Sequence, residues 1–159
     1  MACLDAGHAV DRGPGLVFRP DRGESGGGVL YHYFYTSRAL SPFPGMVDFD
    51  ILRAAWAYNQ ANGIGGYLLR TRDTYFQWLE GPKTQLDSLM ARIGRDPRHE
   101  DVAILLEGPL AARNFANWVM GYHELTEEET GRLAAPGAQT PPTDAVLDLL
   151  REKARLRLG

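Results

Sequence analysis

The sequence predicts an α+β fold: a mixed five-stranded sheet with two helices on one face and a further helix at the C-terminus. Three observations predict it. Aromatic and β-branched runs at 29–35, 64–69, 74–80, 102–106 and 118–122 have strand chemistry. Two segments with helical spacing, 47–62 and 86–93, fall between them. The order that results, β-α-β-β-α-β-β, is the ferredoxin-like unit with one strand added.

The bulk properties agree with one such domain. A chain of 159 residues with 44% hydrophobic and 10% aromatic content can bury a core, which excludes disorder, collagen and coiled coil for most of its length. Seventeen basic against 20 acidic residues leave a net charge of −3, which argues against a phosphate-neutralising surface, so no nucleic acid is expected as a partner. Cys3 is the only cysteine, so neither a disulfide framework nor a cysteine metal site is available. No apolar run approaches the roughly 18 residues of a membrane span. Residues 1–8 lack the basic and apolar regions of a secretory signal. The expectation is a cytoplasmic location without a membrane partner.

Along the chain, residues 1–28 are rich in glycine and proline, ending in Gly26-Gly27-Gly28, and are read as a flexible extension with a short ordered piece at Leu16-Val17-Phe18. The domain proper is placed at 29–125, and 126–159 form a linker and tail helix. Val29 to Tyr35 make the first strand, and Pro42, Pro44 and Gly45 mark a loop. On the first helix, Ile51, Ala55 and Asn59, with Leu52 alongside, form the inward stripe, and Asn62-Gly63 is its C-terminal cap. Thr71-Arg72-Asp73 turns between the second and third strands. Leu86, Leu89, Met90 and Ile93 follow an i, i+3, i+4, i+7 pattern on the second helix. Val102 to Leu106 is a continuous apolar run that suits a central strand, and 118–122 make a short last strand. After a break at Pro136, Pro141 and Pro142, Leu147, Leu150, Ala154 and Leu158 stripe the tail helix. That stripe suits either the open face of the sheet or another subunit.

Two polar residues stand where the pattern asks for apolar ones. Asn59 lies on the inward stripe, and Gln77 alternates with Tyr75 and Leu79 on a strand that faces the helices. Each buried amide group left unpaired costs about 1–3 kcal/mol. Either a structural network satisfies both amides or both face a bound polar heteroaromatic. Spacing does not separate the two.

Phe34-Tyr35-Thr36-Ser37-Arg38-Ala39, then Asn59 to Gly66, then Phe76-Gln77-Trp78-Leu79-Glu80-Gly81, then Arg95-Asp96-Pro97-Arg98-His99, then Asn117-Trp118-Val119-Met120-Gly121 together resemble the BLUF domain, a blue-light sensor that uses flavin. The resemblance runs from about Val29 to Leu125 and is specific as an ordered set. It implies a flavin between the two helices, as FAD, with FMN the alternative. Tyr35 would be the photo-oxidised donor and Gln77 the switching amide between Tyr35 and the flavin. Asn59 would bind the flavin C4=O and N3 edge, and Arg98 the C2=O side with His99 packed beside it. Trp118 and Met120 would be the last-strand pair that reports the switch. The implied chemistry is a photocycle of electron and proton transfer without net turnover, so no enzyme is expected. Two positions depart from the family: Gly65 stands where threonine is usual, and Tyr58 where asparagine or histidine is common. Tyr58 puts an additional oxidisable ring next to Asn59.

Other readings fit less well. Gly63-Ile64-Gly65-Gly66 follows a helix and enters a strand, the reverse of a dinucleotide loop. His8, His32, His99 and His123 lack ligand spacing, and Ser37 has no nucleophile-elbow context. Trp56 and Trp78 are read as packing residues. An acylphosphatase-like enzyme would need an arginine cradle, which Gly15-Leu16-Val17-Phe18-Arg19 echoes faintly. An RNA-binding module would use exposed aromatics on an open sheet face, without the basic run it needs here. With no output domain read in the sequence, the sensor is expected to self-associate or to signal to an effector protein through the tail helix.

Overall fold

The computed structural model of the chain describes residues 28–43, 45–116, 120–133 and 141–156. Its elements in order are β1 (Leu30–Ala39), α1 (Met46–Ala61), β2 (Gly65–Arg70), β3 (Thr74–Pro82), α2 (Lys83–Ile93), β4 (His99–Pro109), β5 (Gly121–Glu124), α3 (Glu127–Leu133) and α4 (Thr143–Leu156). The five strands form one sheet in the order β4-β1-β3-β2-β5. β1 is antiparallel to β3 and β4, and β2 to β3, while β5 alone runs parallel to its neighbour β2. The mixed α+β sheet read from the sequence is therefore the sheet observed.

The period of two along each strand divides the core between two faces. On one face Tyr33, Tyr35, Leu68, Tyr75 and Leu79 meet Ile51 and Ala55 of α1 and Leu86, Leu89 and Ile93 of α2. The striped residues of both helices are thus the ones that lose their water. On the other face Phe34, Tyr67, Leu69, Phe76 and Trp78 meet Leu133 of α3 and Val146, Leu147, Leu149 and Leu150 of α4. The tail helix takes the second face of its own sheet, which settles the choice the sequence left open. That face is covered, so Phe34 and Trp78 are not exposed as an RNA-stacking platform would require.

Local chemistry sets the junctions. The cap at Asn62-Gly63 forms as expected: Gly63 adopts φ +66°, and Asn62 N–H returns to the Tyr58 and Asn59 carbonyls. In the β2–β3 turn, Thr71 N–H donates to Thr74 O at 2.9 Å, and Thr74 N–H to Thr71 Oγ1 at 3.0 Å. A Cβ on Gly121, where β5 begins, would lie 2.3 Å from the Tyr67 ring, so the approach of β5 to β2 needs glycine there.

The structure corrects several expectations. The 102–106 run belongs to an edge strand, because β1 and β3 occupy the centre, and β4 is longer than expected at both ends. β4 carries extra residues opposite the stretches Phe34/Tyr35 and Thr36/Arg38, and within the second of these Asp101 takes φ 54°. Such bulges with charged residues protect an edge from pairing with other chains. The last strand is described over Gly121–Glu124, and 118–119 of the expected 118–122 lie outside the described residues. Trp56 is 51% exposed and points away from the core, whereas Trp78 is fully buried. α3 was not foreseen, yet Thr126-Glu127-Glu128-Glu129 is a capping box: Glu129 N–H reaches Thr126 Oγ1 at 3.2 Å and Thr126 N–H reaches Glu129 Oε2 at 2.9 Å. The extension through residue 27, with Leu16-Val17-Phe18 and the arginine-cradle echo, lies outside the described residues, as do Pro136 and Leu158.

The two-sided core makes a direct prediction. Leu149→Ala, in the buried α4 interface, should cost about 2–5 kcal/mol, whereas Trp56→Ala on exposed α1 should stay within about 0.5 kcal/mol. Urea denaturation midpoints check both. A Leu149→Ala protein as stable as the parent would show that α4 does not cover the sheet.

Candidate functional site

The register of β1 against β3 creates the site. Tyr35 and Gln77 are direct cross-strand partners, so their side chains leave the sheet on the same side, toward α1 and α2. Both are fully buried, and the Tyr35 hydroxyl donates to Gln77 Oε1. Gln77 Nε2 then donates to Met120 Sδ at 3.4 Å, a weak contact that ties β3 to the residue just before β5. The amide is held at both ends: acceptor toward a phenol, donor toward a thioether. Half a turn about its terminal bond would exchange the two roles.

Asn59, fully buried, lies on the α1 stripe that faces the same space. Its backbone carbonyl receives Ile64 N–H at 2.9 Å, which fixes the end of α1 over the start of β2. At the other end of the sheet, His99 pairs with Ala39 at the start of β4 and is buried. Neither of its ring nitrogens makes a hydrogen bond among the described residues. Burial lowers its pKa to about 4, so the ring is neutral near pH 7. Arg98, the residue before His99, is held by a neighbour in sequence. Its guanidinium forms a paired contact with Asp96, Nε–H to Oδ1 at 3.1 Å and Nη2–H to Oδ2 at 2.8 Å. Burial pushes the Asp96 carboxyl upward, but the Arg98 guanidinium and backbone N–H more than offset this and hold it below its usual range. Trp118 lies outside the described residues.

The structure thus brings Tyr35, Gln77 and Met120 into contact, lines Asn59 on the same face, and gives Arg98 to Asp96. It also reveals residues that sequence reasoning missed. Asp96 had a legible signal, since Asp-Pro-Arg favours an Asx turn, and Arg98 N–H does reach Asp96 Oδ1 at 2.9 Å. Asp48, Arg70 and Tyr75 form a second buried polar group on this face, with the Tyr75 hydroxyl donating to Asp48 Oδ1. Burial first, then that hydrogen bond, pushes the Tyr75 phenol up to about 12. Nothing local in the sequence marks these three, because they meet from different elements. Among the described residues no cluster of ligating side chains could hold a metal ion, and no helix is long and apolar enough to cross a membrane.

Two features suit a flat polar heteroaromatic such as a flavin. Buried amides from α1 and β3 offer donors and acceptors on one face, and the buried His99 ring nitrogens have no hydrogen bond of their own among the described residues.

A family model described as BLUF, sensors of blue light using FAD, matches residues 30–121. The α subunit of the photoactivated adenylate cyclase of Euglena gracilis is 34% identical over 100 residues, 62% of this chain and 10% of that protein. The chain therefore spans about a tenth of the length of the curated relatives it matches. The dark-state structure of the BLUF protein BlrB superposes with a TM-score of 0.66 at 29% identity, covering 80% of this chain and 98% of that one. The BLUF domain of BlrP1 gives a TM-score of 0.59 at 33% identity, over 79% of this chain and 89% of that one.

The buried histidines predict a pH dependence. The unfolded His99 titrates near 6.5, so between that value and about 4 only the unfolded chain takes up the proton. Stability from neutral His99 is whole above about pH 6.5 and is lost as the pH falls toward 4. His32, lowered chiefly by burial, acts in the same direction. The urea midpoint should drop between pH 7 and pH 5, and His99→Gln should flatten the drop. A midpoint that stays level or rises on acidification would contradict burial of the neutral ring.

Proposed function

Because the chain belongs to the BLUF family of blue-light sensors, we propose that it holds FAD noncovalently between α1 and α2, and that Tyr35 and Gln77 carry its photocycle. The observation that carries the residue assignment is the Tyr35–Gln77–Met120 chain, a buried phenol, amide and thioether in series on the helix-facing side of the sheet. When bound, the flavin absorbs blue light and becomes a strong one-electron oxidant.

The side chains supply the rest. Tyr35 is a neutral buried phenol that can release an electron and a proton together, and its hydroxyl already points at Gln77. Once Tyr35 no longer donates, nothing holds Oε1 toward it, and the amide is free to turn or tautomerise. On return of the electron and proton, Tyr35 meets an amide presenting a different edge. The net gain of one hydrogen bond is worth about 1 kcal/mol, which suits a small red shift of the flavin band. Met120, just before β5, would register the change in the Gln77 amide NH2. Asn59 and the His99 ring contribute polar contacts to the flavin edge. Arg98 would serve the C2=O side with the N–H groups its pairing with Asp96 leaves over, Asp96 fixing the guanidinium.

FAD is preferred to FMN because the family model is that of FAD users; the described side chains on the helix-facing side meet the ring system that both share. The relatives' name supports signalling to an effector such as an adenylate cyclase domain, with the effector of this chain to be identified; a cytoplasmic setting rests on the sequence reading alone. Self-association is the other route by which α4 would pass the signal on.

Two experiments test this reading. In light-minus-dark difference spectra of the FAD-loaded protein, Tyr35→Phe and Gln77→Leu should each bind flavin and lose the reversible red shift; a full shift in Tyr35→Phe would remove Tyr35 as the donor. In thermal melts, FAD at about 100 times its Kd should add about 2.7 kcal/mol. An FMN titration run alongside ranks the two nucleotides, and a melting point unmoved at saturation by both would remove the pocket.

A further inference from the structure

Tyr35 is not the only buried phenol on the helix-facing side of the sheet. Tyr75 lies two residues before Gln77 on β3 and opposite Ser37, which puts it diagonal to Tyr35 across the β1–β3 pair, about 7–8 Å away at Cα. It is fully buried, and its hydroxyl donates to Asp48 Oδ1. Tyr35 donates to a neutral amide, but Tyr75 donates to a carboxylate, a much stronger base. Judged by the proton acceptor alone, Tyr75 is the better photo-oxidation substrate. Something must hold it back.

Arg70 is positioned to do so. It is fully buried at the end of β2 and its Nη2 donates to the Ser41 carbonyl at 2.9 Å. Its Nε stands 3.6 Å from Asp48 Oδ2, and its guanidinium carbon lies 4.3 Å from the centre of the Tyr75 ring. We infer that Arg70 keeps the Tyr75–Asp48 pair out of photo-oxidation; this rests on the reading of Tyr35 as donor given above.

The charge balance shows how. Oxidising Tyr75 would pass one electron to the photoexcited flavin and one proton along the existing hydrogen bond. The phenolic O–H breaks, an O–H forms on Asp48, and the pair goes from charge −1 to zero. Arg70 attracts the pair in its initial state, and that attraction vanishes when the pair becomes neutral. Buried beside its partners, the guanidinium is screened far less than in water. Its contact with the face of the Tyr75 ring weakens as well, since that contact depends on π-electron density that oxidation removes. Both effects oppose loss of an electron from Tyr75. Tyr33 makes a related pair with Asp87 at 2.7 Å, but the side chains of Asp87 and its partner Lys83 are 45% and 43% exposed, so water already screens that cation.

The test uses the full chain loaded with FAD and reads the flavin fluorescence lifetime, which any fast electron donor shortens. In Tyr35→Phe the lifetime should be long, and adding Tyr75→Phe should leave it unchanged. In Tyr35→Phe/Arg70→Met it should shorten at least tenfold, with a tyrosyl radical detectable by electron paramagnetic resonance, and adding Tyr75→Phe should restore it. Three results would overturn the inference: a lifetime that lengthens on Tyr75→Phe with Arg70 in place, a folded FAD-bound Arg70→Met protein with no shortening, or shortening that survives Tyr75→Phe. The first comparison leaves Arg70 untouched, so it can overturn the inference even if Arg70→Met does not fold, and Arg70→Lys, which keeps the charge, then serves as the second Arg70 variant. Failure of the donor assignment itself would appear separately, as a red shift retained in Tyr35→Phe.

Discussion

The antiparallel register of β1 on β3 is the constraint on which the rest of the structure depends. It sets Tyr35 against Gln77 and Phe34 against Trp78, so the site residues and the second core leave the sheet in opposite directions. A slip of one residue would send every side chain of a strand to the wrong face. It would place either the phenol or the amide under α4 and bring Phe34 or Trp78 under α1 and α2. Burial on both faces therefore specifies the register twice over.

On the α4 side, Glu80 extends that constraint to the approach of β5. The Glu80 carboxylate accepts Trp78 Nε1–H at 3.0 Å, Asn114 N–H at 3.1 Å and Phe115 N–H at 2.6 Å. A fully buried carboxylate is costly unless hydrogen-bonded, and here strand and loop donors converge on it. Arg113 Nη2 reaches Gly63 O at 2.7 Å, fastening the same loop to the α1–β2 junction. Asn114 also accepts Arg151 Nη2–H of α4 at 3.0 Å. The loop is pinned three residues beyond Gln77 on β3, while Met120, nearer β5, touches Gln77 itself. Residues 113–115 and Met120 thus meet β3 at different points.

The helix-facing side combines an apolar floor with buried polar groups, among them Asp48, Gln77 and Asn59. Each is buried, and each gains its meaning from groups on other elements. Asp48 and Arg70 compensate each other from α1 and β2, while Tyr35 and Gln77 meet from β1 and β3. Removing one member of such a set would strand the other at a cost of about 1–3 kcal/mol or more. This coupling is why polar residues can sit in the core of a small domain without weakening it.

Much of this was legible in the sequence, for physical reasons. Periodicity of two and of 3.6 reports which side of an element is dry, so the strands, both inward helix stripes and the anomaly of Asn59 and Gln77 could be read directly. The cap at Gly63 and the turn at 71–73 follow from local backbone chemistry. The ordered motifs named the family. Tertiary structure alone decided that the apolar 102–106 run lies at an edge, because hydrophobicity does not say which strands take the centre. It alone placed α4 on its own sheet, since an amphipathic helix is satisfied by any apolar surface. It alone gave Arg98 to Asp96 and gathered Asp48, Arg70 and Tyr75, because ion pairs and hydrogen bonds act over ångströms in space between residues distant along the chain.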